Sequence, residues 1–231
     1  MSQLTPRNID ILRIIVEEYL DTGEVLGSKA LLKKYELWVS PATVRNDMAN
    51  LEKLELIFQP YNSAWRLPTA KGLRAFVNYL MQQYPDHFLG TKHTQKNESL
   101  SELADYIHTL TYELAKNTWE VAFCFVKDSS IHEYSGIADF ISKNQRRLWE
   151  GICNIIRMIE DKKNFRNFIS GFPIREGVNV FIGEENILPY LRDYTIILKP
   201  ILVDGKVWYI GIIWSLKMNY SFNISAVRGI I

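Results

Sequence analysis

Few side chains in this 231-residue sequence are spaced for bond-making chemistry. His87, His93, His108 and His132 stand in no metal-ligand spacing, and there is no Gly-x-Ser-x-Gly, phosphate-loop or His-Glu-x-x-His string. Glu184-Glu185 follow a strand-like run, but adjacent residues diverge there, so a solvated turn is expected rather than paired acids. Cys124 and Cys153 make no Cys-x-x-Cys pair and lie in apolar runs, where a buried free thiol is the commoner state. Neither catalysis nor a metal or other cofactor is expected. The chemistry the sequence does offer is recognition, on one face of a helix over residues 41–54. With Val44 turned to a core and ~100° per residue, Ala42, Asn46, Ala49 and Lys53 fall on the opposite side, with Arg45 and Asn50 at its shoulders. Two alanines let a helix approach a major-groove floor, Asn pairs with adenine N6 and N7, and Arg takes guanine or a phosphate. A solvated helix face fits the same composition. Residues 1–84 hold ten Lys and Arg against nine Asp and Glu, so charge does not choose between the two.

A second group lies nearby. Ile57–Gln59 and Trp65–Leu67 read as strands around the turn residues Pro60-Tyr61-Asn62-Ser63-Ala64. This β-hairpin places Ser63 at its tip and Arg66 beside it, a hydrogen-bonding group and a cation suited to phosphates or a minor groove. An ordinary surface loop explains them equally well.

These groups need a frame. Thr5 before Pro6 starts a first helix, with Ile9, Leu12, Ile15, Val16, Tyr19 and Leu20 at helical spacing until Thr22-Gly23. Ser28 caps a short second helix with Leu31, Leu32 and Tyr35; Ser40-Pro41 opens the third, which buries Val44, Met48, Leu51 and Leu54. After the hairpin, Thr69 caps a helix with Leu73, Phe76, Val77 and Leu80 inward, and Gly72 is its weak point. This order is a winged helix-turn-helix over 1–84. Residues 85–97 lose the apolar period and read as a linker. Over 98–231, helices are expected at 100–115, 148–159 and 188–193, and strands at 119–126, 178–182, 195–202 and 207–214, the last two joined by Asp204-Gly205. The fold class is therefore α+β, with an antiparallel sheet packed by helices.

Composition agrees with a folded chain: 47% hydrophobic, 23% charged, net charge +1. The longest apolar run, Val207–Trp214, is far short of the ~18 residues that span a bilayer. A cytoplasmic protein without a membrane partner is expected.

The strings Leu4-Thr5-Pro6-Arg7, Thr22–Lys29, Ser40–Met48 with Leu51-Glu52, and Gln59-Pro60, Ser63-Ala64, Arg66, Pro68-Thr69, Lys71-Gly72 resemble, collinearly, the HrcA family of bacterial heat-inducible transcription repressors. The match resumes at Val180–Asn186, Leu191–Tyr194, Gly205 and Lys217–Tyr220, similar to the family's GAF-like second domain. The family usually has Gly-Pro-Thr-Arg-Met-Asp-Tyr where this chain has Trp214–Tyr220, and a wing Gly where it has Trp65. It also carries more sheet and an inserted dimerisation domain, whereas here Val126 passes almost directly to the helices before Val178.

The resemblance implies a repressor of chaperone operons that binds double-stranded DNA at an inverted repeat, depends on a GroEL-type chaperonin and lets go on heat stress. It implies DNA contacts from Thr43, Arg45, Asn46 and Arg66, to which the helical face adds Ala49 and Lys53 and the hairpin tip adds Ser63. Asp47 lies towards the core side, where it orients a cation rather than touching DNA. An inverted repeat calls for a homodimer, and Val207–Trp214 with Tyr220–Ile224 is the expected pairing surface, unless these residues only fill a core. Two alternatives stand beside this reading. One is a regulator whose GAF-like domain binds a small molecule; the other is a chaperonin-interacting or protein-binding winged helix without DNA binding.

Overall fold

The computed structural model describes residues 4–23, 28–35, 39–61, 66–83, 100–127, 129, 131–143, 149–203 and 205–230. The chain divides into two compact units, Met1–Pro85 and Asp86–Ile231.

In the first unit, α1 (Pro6–Thr22) starts where the Thr5 hydroxyl accepts from Asn8 N at 3.2 Å and Asn8 Oδ1 accepts from Thr5 N at 3.3 Å, a reciprocal cap that meets two orphan donors. It stops at Gly23, whose φ of 75° suits glycine. Next come α2 (Ser28–Tyr35) and α3 (Pro41–Lys53), the latter capped by Ser40 Oγ accepting from Thr43 N at 3.1 Å. Strands β1 (Ile57–Phe58) and β2 (Leu67–Pro68) pair antiparallel, Ile57 opposite Pro68. Trp65, expected in the second strand, lies outside the described residues, as do Ser63 and the linker. Helix α4 (Ala70–Gln83) follows Thr69, whose hydroxyl accepts from Gly72 N at 3.0 Å.

The core of this unit holds Leu12, Ile15, Val16, Val44, Met48, Leu51, Leu73, Phe76 and Val77. Two expectations change. Ile9, Tyr19 and Leu20 are only half-buried, because α1 turns Asn8, Ile11, Leu12, Ile15 and Glu18 inward; the polar pair is tolerated because Asn8 bonds Asp47 and Glu18 accepts from Tyr35 Oη at 2.8 Å. Leu54 is also half-buried, since α3 has already ended at Lys53. Gly72 proves a requirement: a Cβ there would sit 2.0 Å from the Leu56 carbonyl oxygen.

The second unit comprises α5 (Leu100–Thr118), β3 (Val121–Val126), β4 (His132–Ser135), α6 (Ile137–Lys143), α7 (Trp149–Glu160), α8 (Lys162–Ser170), β5 (Asn179–Ile182), β6 (Tyr194–Val203), β7 (Lys206–Ser215) and α9 (Tyr220–Arg228). The strands form one antiparallel sheet ordered β4-β3-β7-β6-β5, and the chain is α+β. Alternation along β7 sends Trp208, Ile210 and Ile212 to one face, where Tyr106 of α5 meets Trp208. Tyr209 turns to the other face, where Phe123 and Phe125 of β3 pack edge-on against Phe165 of α8. Strand β3 begins two residues later than expected because Trp119 takes a left-handed turn, φ 62°. The helix expected at 188–193 is a single 3-10 turn, Pro189–Leu191.

The pairing surface expected at Val207–Trp214 is not available. Strand β7 is hydrogen-bonded on both sides and its Trp208, Ile210, Ile212 and Ile213 are at most 1% exposed. Tyr220 is likewise buried, its hydroxyl 2.8 Å from Thr195 Oγ1. These residues fill a core; of the Tyr220–Ile224 stretch, Phe222 is half exposed.

Candidate nucleic-acid interface

Helix α3 is amphipathic in an asymmetric way. Val44, Met48 and Leu51 are buried to 1% exposure or less, while Ala42, Arg45, Asn46, Ala49 and Lys53 are all exposed. The stripe Ala42, Asn46, Ala49, Lys53 runs along about 16 Å of helix at 1.5 Å per residue. Its two alanines leave it low in relief between the longer polar side chains. Among the described residues, Arg45, Asn46 and Lys53 make no hydrogen bond or ion pair within the protein, so their donors and acceptors point to solvent. Thr43 differs: it is half-buried and its hydroxyl lies 2.9 Å from Ser40 Oγ, at the cap of the helix. The structure thus brings Thr43, Arg45, Asn46, Ala49 and Lys53 together on one element. Ser63 lies outside the described residues.

One flank of this face is pinned by a polar network. Asp47, the only charged side chain of α3 that is buried, receives Arg7 Nε at 2.7 Å, Arg7 Nη2 at 3.2 Å and Asn8 Nδ2 at 2.9 Å. Asn50 Nδ2 in turn donates to Asn8 Oδ1 at 3.1 Å. The bonding and charge of Asp47 raise the Arg7 pKa above its ordinary value, so this guanidinium stays charged. Because both polar side-chain atoms of Asn8 bond to α3, Nδ2 to Asp47 and Oδ1 to Asn50, α3 is fixed in rotation and in height along α1. Asp47 therefore does orient a cation, as its place on the wheel suggested.

The other flank carries Arg66. Its Nε lies 3.0 Å from Glu52 Oε1 and its Nη2 donates to Glu52 Oε2 at 3.4 Å, with both side chains about a quarter exposed. Arg66 is held by α3 itself rather than standing alone beside the turn. Reasoning from sequence assigned no role to Arg7; its signal was its place next to the Thr5-Pro6 helix start, which brings the first turn of α1 to α3. Among the described residues no helix is long and apolar enough to cross a membrane.

The family model described as the HrcA protein C terminal domain matches residues 46–224. The heat-inducible transcription repressor HrcA of Thermomicrobium roseum is 54% identical over 81 residues, covering 35% of this chain and 23% of that protein. That of Alkaliphilus metalliredigens is 50% identical over 80 residues, again 35% and 23%. The Acidothermus cellulolyticus protein of the same name is 42% identical over 128 residues, 52% of this chain and 35% of its own length. The chain thus spans about a quarter to a third of these relatives. A crystal structure of a hypothetical protein at 2.2 Å resolution superposes with a TM-score of 0.76 and 17% identity, covering 97% of this chain and 95% of that one, a likeness of fold.

Proposed function

The chain belongs to the HrcA family, and on that premise we propose that it is a transcriptional repressor that binds double-stranded DNA through a winged helix-turn-helix. In this reading residues 1–84 are the DNA-binding domain, 85–97 a linker and 98–231 a GAF-like domain. The observation that carries it is the exposed stripe of α3, low in relief and polar, whose Arg45, Asn46 and Lys53 bond to nothing among the described residues while the helix beneath them is tied to α1 through Asp47. A helix laid with this face in a major groove puts Asn46 where it can hold adenine and Arg45 where it can hold guanine or a phosphate. Ala42 and Ala49 allow the approach, Lys53 meets the backbone, and Thr43 closes the N-terminal end. The hairpin is the wing, with Ser63 and Arg66 laid along the adjacent strand.

Two copies read the two halves of an inverted repeat upstream of chaperone operons in the cytoplasm, with repression lifted on heat stress and tuned by a GroEL-type chaperonin. The two-fold repeat supports a homodimer, since one short winged helix contacts too few bases to single out a site. The test is titration of fluorescent DNA from upstream of the host's chaperonin operon, against a scrambled duplex, over a range of salt, with sedimentation of the complex. Tight, salt-dependent binding of two chains per repeat is expected. Equal affinity for the scrambled duplex, or no binding to either, overturns the reading in favour of a winged helix that binds protein. A strict monomer that holds one half-site as tightly as the whole repeat removes the dimer.

A further inference from the structure

The α3 face carries acids on both sides, an arrangement that should repel the phosphates bordering a groove. Taking Asn46 as the reference and ~100° per residue, Asp47 lies about 100° to one side and Glu52 about 120° to the other. Each holds an arginine from a different element: Asp47 takes Arg7 of α1, and Glu52 takes Arg66 of the hairpin. The pairing is similar in both, although Arg66 Nε meets Glu52 as an ion pair without the geometry of a hydrogen bond. In each, Nε and Nη2 face the two carboxylate oxygens, at 2.7 and 3.2 Å for Arg7 and at 3.0 and 3.4 Å for Arg66. In each, among the described residues, Nη1 has no partner. Arg7 is half exposed, its side chain at 51%, although the carboxylate that holds it is at 9%.

We propose that Asp47 and Glu52 are positioning residues which fix Arg7 and Arg66 as a pair of phosphate clamps, one on each flank of the α3 face. The inference rests on the DNA-binding reading above and adds Arg7 to that interface. A guanidinium held along its Nε edge by a carboxylate keeps its Nη1 edge free in a set direction, and two such edges suit the two backbones that border a major groove. The Glu52–Arg66 pair is partly exposed, where ion pairs contribute little to stability, and the buried Asp47 already ties α1 to α3 through Asn8, so the use of an α3 acid to hold an arginine on each flank is explained by aim. The ligand chemistry is a phosphodiester, and sequence is left to Asn46 and Arg45.

The experiment uses the full chain and measures binding to the chaperonin-upstream duplex and to a scrambled one as a function of salt. R7A and R66A should each lower the salt slope by about one ion and weaken the specific duplex about eightfold at 0.1 M salt, with the scrambled duplex weakened less, because only in register do both aimed clamps meet a phosphate. E52Q is the decisive variant, because its site is partly exposed and the substitution preserves shape. Removing the acid takes away a negative charge, so the scrambled duplex should bind more tightly, while preference for the specific duplex falls several-fold because Arg66 has lost its aim. D47N and R7K should lower that preference in the same way. If E52Q and D47N raise both affinities by the same factor, the acids only shield charge and the positioning role is wrong. If R7A leaves the salt slope unchanged while the wild type binds specifically, Arg7 is no clamp and the DNA reading stands without it. If the wild type binds no DNA, both fall together.

Discussion

Replacing Gly72 with alanine sets two magnitudes against each other. Helix propensity alone favours alanine by about 1 kcal/mol in a helix interior. Yet the new Cβ would stand 2.0 Å from the Leu56 oxygen, 3.0 Å from its carbonyl carbon and 3.5 Å from its Cα, all backbone atoms that no side-chain rotation can clear. Relief requires α4 to lift by more than an ångström from the base of the hairpin. The Leu56 oxygen also accepts from Thr69 N at 3.0 Å and from Thr69 Oγ1 at 3.2 Å, so lifting loosens the cap of α4 as well. Overpacking of this kind costs about 1 to 3 kcal/mol and a weakened hydrogen bond about 1 more. The net expectation for Gly72→Ala is a loss of about 1 to 3 kcal/mol, which lowers the melting temperature of a unit this size by on the order of 10 °C. Calorimetry of the full chain measures it, with amide exchange in α4 identifying which transition belongs to the first unit. An unchanged or higher melting temperature would refute the close approach of α4 to Leu56.

Asn46→Ala should weaken the specific duplex by about 1 to 3 kcal/mol with the scrambled duplex and the melting temperature unaffected; equal loss on both duplexes would take Asn46 out of base reading. Tyr35→Phe removes the 2.8 Å donor to Glu18, which is 4% exposed, and should cost about 1 to 3 kcal/mol, seen as a lower urea midpoint; an unmoved midpoint would show that Glu18 does not depend on this bond. Burial, aided by Glu133, pushes the Cys124 thiol up to about 12 from 9.0. Its contribution to stability is therefore full below pH 9 and is lost as pH rises towards 12, because the unfolded thiol ionises first. Urea midpoints of the second unit should fall between pH 9 and 10.5 and Cys124→Ala should flatten that slope; an identical slope in the variant would rule Cys124 out as its source.

Much of the first unit is readable because its signals are local. Thr5-Pro6, Ser40-Pro41 and Thr69 each begin a helix within a residue of where their capping chemistry puts them, and the exposed face of α3 follows from the position of Val44 alone. What escaped is what depends on distant partners. Asn8 and Glu18 look like surface residues until Asp47 and Tyr35 are placed beside them, and Gly72 looks like a flaw until Leu56 arrives. Arg66 reads as a lone cation because Glu52 lies on another element. In the second unit, β3, β6 and β7 announce themselves by apolar content. Strand β4, with His132, Glu133, Tyr134 and Ser135 all half-buried at the sheet edge, carries no alternation to find. Helices α8 and α9 are nine residues each, so their apolar period is short; Asp161 and Asn219, which cap them through side-chain bonds to Asn164 N and Phe222 N, were the signals available. Val207–Trp214 looked like an interface because an apolar run says that a strand is covered, not by what.

Helix α1 is fastened near each end by one buried polar residue, Asn8 to α3 and Glu18 to α2, ten residues apart. This difference between fastening and filling sets how the domain diverges over generations. Leucine, isoleucine and valine at positions 11, 12, 15 and 16 can be exchanged one at a time, since any of them fills the space. A change at Asn8 takes from Asp47 its 2.9 Å amide donor, and a change at Tyr35 takes from Glu18 its 2.8 Å hydroxyl donor, so these positions drift at least cost as matched sets. Lineages of this chain should therefore vary singly in the core but in concert at Asn8 with Asp47 and at Glu18 with Tyr35.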